Sequence, residues 1–185
     1  MIFISDLQNM KSSEVYAILR EELGPFLRSL GFRREKALLS WSRLRDSRYT
    51  TLWCQVSRDG WDDCAGSRFV MEFQRSERPE AGELSTARAR LAALLTDAQR
   101  AEVWRLQRQV IASLSQPPGG HPALHVSPDV TRWYLAKFEA PRAPFKASDD
   151  IWLRYAKPEH VHMWAEFLRN VLPDSLAAID AMHAG

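Results

Sequence analysis

Apolar residues recur at three- and four-residue intervals from Val15 through Ile18, Leu19, Leu23, Phe26 and Leu27 to Leu30. That spacing sets them on one face of an α-helix. Ser12 or Ser13 is placed to cap its start, and Glu14 suits the positive end of the helix dipole. Gly24-Pro25 interrupts the interior. A proline removes a backbone donor and crowds the preceding turn, so the pattern predicts a kink or two shorter helices there. Gly31 stands where a left-handed C-terminal cap is common, and Phe32 can fold back onto the helix it has just left.

The period then changes to two. Residues 37–44 alternate Leu39 and Trp41 with Ser40 and Ser42. Residues 49–57 are rich in β-branched and aromatic side chains, and residues 68–75 alternate Phe69, Met71 and Phe73 with Val70, Glu72 and Gln74. These are three half-buried strands by their pattern. Arg45-Asp46-Ser47 and Asp59-Gly60 supply turn chemistry between them. The second connection, running on to Ser67, exceeds a tight hairpin and has the length of a functional loop.

Helical patterning returns afterwards. Residues 84–95 are helix-prone, with Leu91, Leu94 and Leu95 apolar. Thr96-Asp97-Ala98-Gln99 reads as a capping box, followed by a stripe of Val103, Leu106, Val110 and Leu114, widened by Trp104 and Ile111. The Pro/Gly segment 116–122 cannot continue that helix and reads as a linker. Ser127-Pro128-Asp129 then predicts a cap and first turn for a short helix carrying Val130, Trp133, Tyr134 and Phe138, though a strand fits the same residues. Residues 151–155 can add an edge strand. Residues 158–172 are helical, with Pro173-Asp174 ending the helix and a last short one running through Leu176 and Ile179. The expected fold is α+β: an N-terminal helix and a three- to four-stranded antiparallel sheet with helices packed on one face. Residues 1–185 are expected to form a single domain, with an α+β core at 1–115 and a mainly helical C-terminal extension at 124–185 after the linker.

Composition narrows the function classes. A chain of 185 residues can bury a real core without disulfide or metal staples. The net charge of +2 is too small to point to a polyanion partner. Cys54 and Cys64 suit a reducing compartment and form no metal-ligand pattern. Met1-Ile2-Phe3-Ile4-Ser5 is apolar but short, lacks a basic flank and meets Asp6 at once, so it does not read as a signal peptide. No stretch approaches the length of a membrane span, so no membrane association is expected and the cytoplasm is the default location.

Candidate chemistry is sparse. His121 and His125 lie in the Pro-rich loop, and His160 and His162 are two apart near a helix start, pointing to different sides. His162 and Glu166 share a helix face, a spacing common by chance. No metal or cofactor is therefore expected. Asp59, Asp62 and Asp63 crowd one loop, but Trp61 falls where a calcium loop needs a ligand. An acidic binding loop with Trp61 and Arg58 beside those aspartates remains the candidate binding site. Between Gly31 and Ser76 nine Arg or Lys stand against six Asp or Glu, a local balance of +3, which is modest for a nucleic-acid surface. Trp41, Trp53, Phe69 and Phe73 sit at sheet-core spacing instead. No nucleophile elbow, phosphate-binding glycine loop or nucleotide fingerprint is present, so no catalytic residue is assigned. Cys54 reads as a buried, inert thiol; Cys64 reads as the more accessible one, weakened by the neighbouring Asp63.

The run Leu23-Gly24-Pro25-Phe26-Leu27-Arg28-Ser29-Leu30-Gly31-Phe32-Arg33-Arg34 resembles the opening of a group of bacterial domains. These begin with a helix ending in Leu-Gly-Phe plus basic residues and continue into antiparallel strands. Phe69-Val70-Met71-Glu72-Phe73-Gln74-Arg75-Ser76 is similar to their later strand, in which a Phe-x-x-Glu-like pattern follows a Gly-Ser or Gly-Gly turn. The likeness covers the first half of the chain and has no counterpart after Pro117. Some members resemble immunity proteins of bacterial toxin systems, and no site residue comes with the likeness. The expected function is a non-enzymatic module that binds another protein, a toxin or a second copy of itself. The aromatic and arginine content, of types that anchor interfaces, points the same way. Two rivals stand beside it. One is a metal-dependent enzyme with a pocket between sheet and C-terminal helices, using His121, His125 or the Asp59 to Asp63 loop. The other is a nucleic-acid-binding protein.

Overall fold

The computed structural model describes residues 10–36, 39–82 and 87–182. The apolar N-terminal residues, the first two positions of the strand expected from residue 37, and the start of the helix expected from residue 84 lie outside them.

Helix α1 spans Ser12–Ser29. Its cap is Lys11, whose backbone N–H donates to the Glu14 carboxylate at 2.7 Å; neither serine caps it. The helix also runs unbroken through Pro25, where a kink or break was expected. Pro25 sits on the exposed side, while Leu23 and Leu27 are fully buried. Packing outweighs one lost backbone bond. Gly31, at φ +83°, closes the helix as expected: its N–H donates to Arg28 O, and that of Phe32 to Leu27 O, both at 3.0 Å.

The sheet order is β1-β2-β3-β4-β5, antiparallel throughout, and β6 also pairs with β4. The strands are β1 Arg33–Arg34, β2 Leu39–Arg45, β3 Arg48–Val56, β4 Ser67–Ser76, β5 Ala87–Arg90 and β6 Leu153–Tyr155. Asp46 and Ser47, both at positive φ, make the tight β2–β3 turn. The fold is α+β as expected, with more strands than the three or four read from the pattern. The extra ones include β5, which replaces part of the helix expected at 84–95; among the described residues of that stretch Leu91–Leu94 (α2) is helical. Ala87 and Ala89 pair with Arg75 and Phe73 on the core side, while Arg88 and Arg90 reach Glu72 on the reverse. Cross-strand pairing overrides the helical propensity of this alternating segment.

Leu39, Trp41, Leu52, Cys54, Phe69, Met71 and Phe73 face the core, against which α1 and the helix Pro158–Ala181 (α5) pack. The reverse face is buried too, contrary to a half-buried sheet: Ser40, Thr51, Trp53, Val70 and Gln74 are all covered. Residues 77–82 cross it, with Gln74 donating to Glu80 O at 2.5 Å and Thr51 to Pro79 O at 3.1 Å. Trp53 lies under the Arg88 guanidinium, 5.2 Å from its ring centroid.

α3 spans Asp97–Ala112 and begins on the expected capping box, Gln99 N–H to Thr96 Oγ1 at 3.2 Å and Thr96 N–H to Gln99 Oε1 at 2.9 Å. α4 is Pro128–Leu135, capped by Ser127 and followed by a 3-10 turn at Ala136–Phe138, which decides for helix over strand. α5 runs Pro158–Ala181 without ending at Pro173. Pro173 is again exposed, while Leu176 and Ile179 beyond it are core residues. Leu153, Trp164 and Leu168 belong to the same core as Leu19 and Leu52, so the C-terminal segment contributes to the core built by the first half. Among the described residues no helix is long and apolar enough to cross a membrane.

Candidate functional site

The long β3–β4 loop, residues 57–66, meets the C-terminal segment at one end of the sheet. Gly66 allows the approach: at φ +65°, a Cβ there would lie 2.1 Å from Tyr155 O in β6. No other residue fits so close a backbone contact. Between the loop, the start of β4, the end of α4 and β6 opens a pocket of about 350 Å³. Trp133 and Trp152 line it together with Arg68, Lys137 and Arg154.

The three cations differ in their company. Arg68 pairs with Asp59 at 2.9 Å near the surface and lies over Trp152, 5.1 Å from its centroid. Lys137 places Nζ 3.9 Å from the Trp133 centroid; burial pushes its pKa down against the pull of Asp59 and Asp62. Arg154 is the deepest. Its guanidinium donates to the backbone carbonyls of Lys137 and Ala65, and among the described residues no carboxylate pairs with it. Burial, with Arg68 nearby, lowers its pKa to about 10. An anion entering the pocket would meet a desolvated guanidinium held in place by carbonyls, with two indoles alongside.

A second polar cluster lies behind the same loop. Asp62 Oδ1 accepts from the N–H groups of Cys64 at 3.0 Å and Ala65 at 2.7 Å, and from Tyr134 Oη at 2.9 Å. The His121 ring stacks on Tyr134, with Nε2 3.1 Å from Tyr134 Oη and 3.4 Å from Asp62 Oδ2. Ala123 N–H donates to His121 Nδ1 at 3.3 Å, which places the neutral ring's proton on Nε2. Burial alone would raise the Asp62 pKa, but its donors and His121 bring it below the usual range. Burial and then Asp62 raise both Tyr134 and Cys64.

The aspartates of the expected binding loop diverge. Asp59 turns to Arg68, Asp62 turns inward to Tyr134 and His121, and Asp63 is exposed, as is Arg58. Trp61 is half-buried and packs against the core, with its buried Nε1 unpaired. Cys64 is buried but is the more accessible of the two thiols, and Asp62 ahead of Asp63 is the acid that chiefly weakens it. Cys54 is fully buried and its thiol is pushed up by burial, as an inert core cysteine should be. His125 bonds Gly119 O at 2.7 Å, His160 accepts from Ala156 N–H at 3.1 Å, and His162 reaches Glu22 at 3.0 Å; none joins His121. The pattern missed Arg68, Trp133, Lys137, Trp152 and Arg154 as a group. Their one local signal is alternation at Trp152-Leu153-Arg154-Tyr155, which turns Leu153 and Tyr155 inward and leaves Trp152 and Arg154 at the pocket.

No protein-family model matches the chain, and neither curated proteins nor solved structures give a match.

Proposed function

We propose that this protein is a non-catalytic binding module that takes an acidic segment of a partner protein into the pocket between sheet and C-terminal segment. The observation that carries this reading is Arg154, a largely buried guanidinium that lines the pocket and, among the described residues, has backbone carbonyls and no carboxylate as partners. A cation so placed gains most from a carboxylate that arrives with the ligand. The surroundings favour a protein over a small metabolite. Trp133, which lines the pocket, is 53% exposed. An exposed aromatic side chain beside a desolvated arginine is the composition of an interface centre. The likeness of the first half to immunity-type domains accords with a protein partner.

The test is titration of the full chain with a short glutamate-rich peptide, read by the indole N–H signals of Trp133 and Trp152. Saturable shifts of both indoles are expected, weakening as salt rises. Arg154→Met should weaken binding about tenfold or more, the loss of one charged hydrogen bond. Absence of any shift in both indoles overturns the reading. Preference for a single-stranded oligonucleotide over the peptide would replace it with nucleic-acid binding.

A further inference from the structure

We infer that Asp62, Cys64 and His121 form a binding site for a zinc-class divalent cation, which would staple the 116–122 segment to the β3–β4 loop. One ligand atom from each residue lies within 4.8 Å of the other two. Asp62 Oδ2 and His121 Nε2 are 3.4 Å apart. Two ligands bound at about 2.0–2.1 Å in tetrahedral geometry lie roughly 3.3 Å from each other, so this pair is already near its bound separation.

The division of labour within Asp62 supports the assignment. Oδ1 is occupied by three donors, from Cys64, Ala65 and Tyr134. These fix the carboxylate and leave Oδ2 turned to His121. That is the arrangement in which an outer hydrogen-bond shell orients a metal-binding carboxylate. The donor set of one thiolate, one imidazole and one carboxylate selects zinc or cobalt over calcium and magnesium, which take oxygen. Binding releases the Cys64 thiol proton. It also displaces the ring proton from His121 Nε2 to Nδ1, which breaks the loose 3.3 Å contact from Ala123 N–H. Asp59, Arg68, Lys137, Asp150 and Arg154 are the charged groups lining the neighbouring pocket.

The sequence separates these ligands too widely for a spacing motif, since His121 comes from the Pro/Gly segment and the other two from the loop. Of these two elements the β3–β4 loop also walls the anion pocket, and the Tyr134 hydroxyl of α4 reaches Asp62 behind it. A bound cation would therefore fix that wall of the pocket without touching its ligand.

The experiment is titration of the tag-free full chain with cobalt(II), followed by its thiolate charge-transfer absorption. One saturating equivalent with a thiolate band, displaced by zinc, is expected. Cys64→Ser should abolish the band. His121→Ala, at a partly exposed side chain, decides the matter if Cys64→Ser does not fold, and should weaken cobalt binding at least about tenfold. Tyr134→Phe, which removes no ligand atom but takes away the hydroxyl that orients Asp62 and touches His121, should weaken it by about tenfold. A wild-type protein without the thiolate band, a band that survives Cys64→Ser, or undiminished binding in His121→Ala overturns the site.

Discussion

At one end of β4, Arg43, Arg45 and Arg75 converge on a single carboxylate, Asp180 of α5. At the other end, Arg68, Lys137 and Arg154 surround a pocket. In the first cluster Asp180 receives Arg43 at 2.6 Å, Arg75 at 3.0 Å and Arg45 at 3.2 Å, together with the Thr50 hydroxyl. Arg43 also lies over the Phe32 ring at 4.7 Å and donates to Leu30 O at 3.1 Å. In the second cluster Arg154 has carbonyls only. Both ends desolvate arginine, but among the described residues a carboxylate pairs with the most buried guanidinium at only one of them. Arginine burial is therefore structural where a carboxylate closes the network, and is open to a ligand where none does.

The comparison breaks most sharply at Asp180. Asp180→Ala should cost about 3–5 kcal/mol, because it removes the largely buried carboxylate on which Arg43, Arg45 and Arg75 converge. Denaturant unfolding measures it. The same residue sets an acid limit. Burial by itself would raise the Asp180 pKa, but Thr50, Arg43 and Arg75 bring it below its ordinary value of 3.8. A carboxylate depressed in the folded state stabilises fully above its unfolded pKa and progressively less as pH falls through the folded one. The wild type should thus lose this contribution below roughly pH 4. Asp180→Asn should flatten that part of the stability–pH profile.

Gly66→Ala tests the other end without touching the paired arginines. The added methyl group meets Tyr155 O and demands a positive φ from alanine, so a loss of about 3 kcal/mol is expected. Hydrogen exchange should show the opening confined to β6 and the β3–β4 loop, with the Asp180 end still protected. The smallest effect on stability belongs to Arg154→Met. Removing a buried charge that has no carboxylate should change stability by no more than about 1 kcal/mol, even as acidic-peptide binding falls. A loss as large as that of Asp180→Ala would show that the two ends are equivalent and would remove the distinction drawn between them.

The legible parts of the fold are those decided locally. The Gly31 cap, the Thr96–Gln99 box, the Ser127-Pro128 start and the alternation through β2, β3 and β4 each need only a few adjacent residues. What escaped is decided at a distance. Pro25 and Pro173 are tolerated because they fall on solvent-facing sides of helices whose opposite faces are core. β5 exists because Phe73 and Glu72 await it on the β4 edge. The acidic loop was visible as a concentration of charge, but its three aspartates part company once Arg68, Tyr134 and His121 take their places. The pocket cations come from β4, the turn after α4 and β6, and no pattern along the chain announces their meeting.

The Asp180 cluster has a consequence for how the chain is made. Asp180 lies 137 residues after Arg43 and 105 after Arg75. At about 5–20 residues per second, translation leaves an interval of roughly 5–20 s between the last of these arginines and their counter-ion. The strands can pair during that interval, yet their arginine end stays mutually repulsive until α5 docks. The final helix is in this sense a delayed latch, keeping one end of the nascent sheet loose until nearly all of its covering has been synthesised.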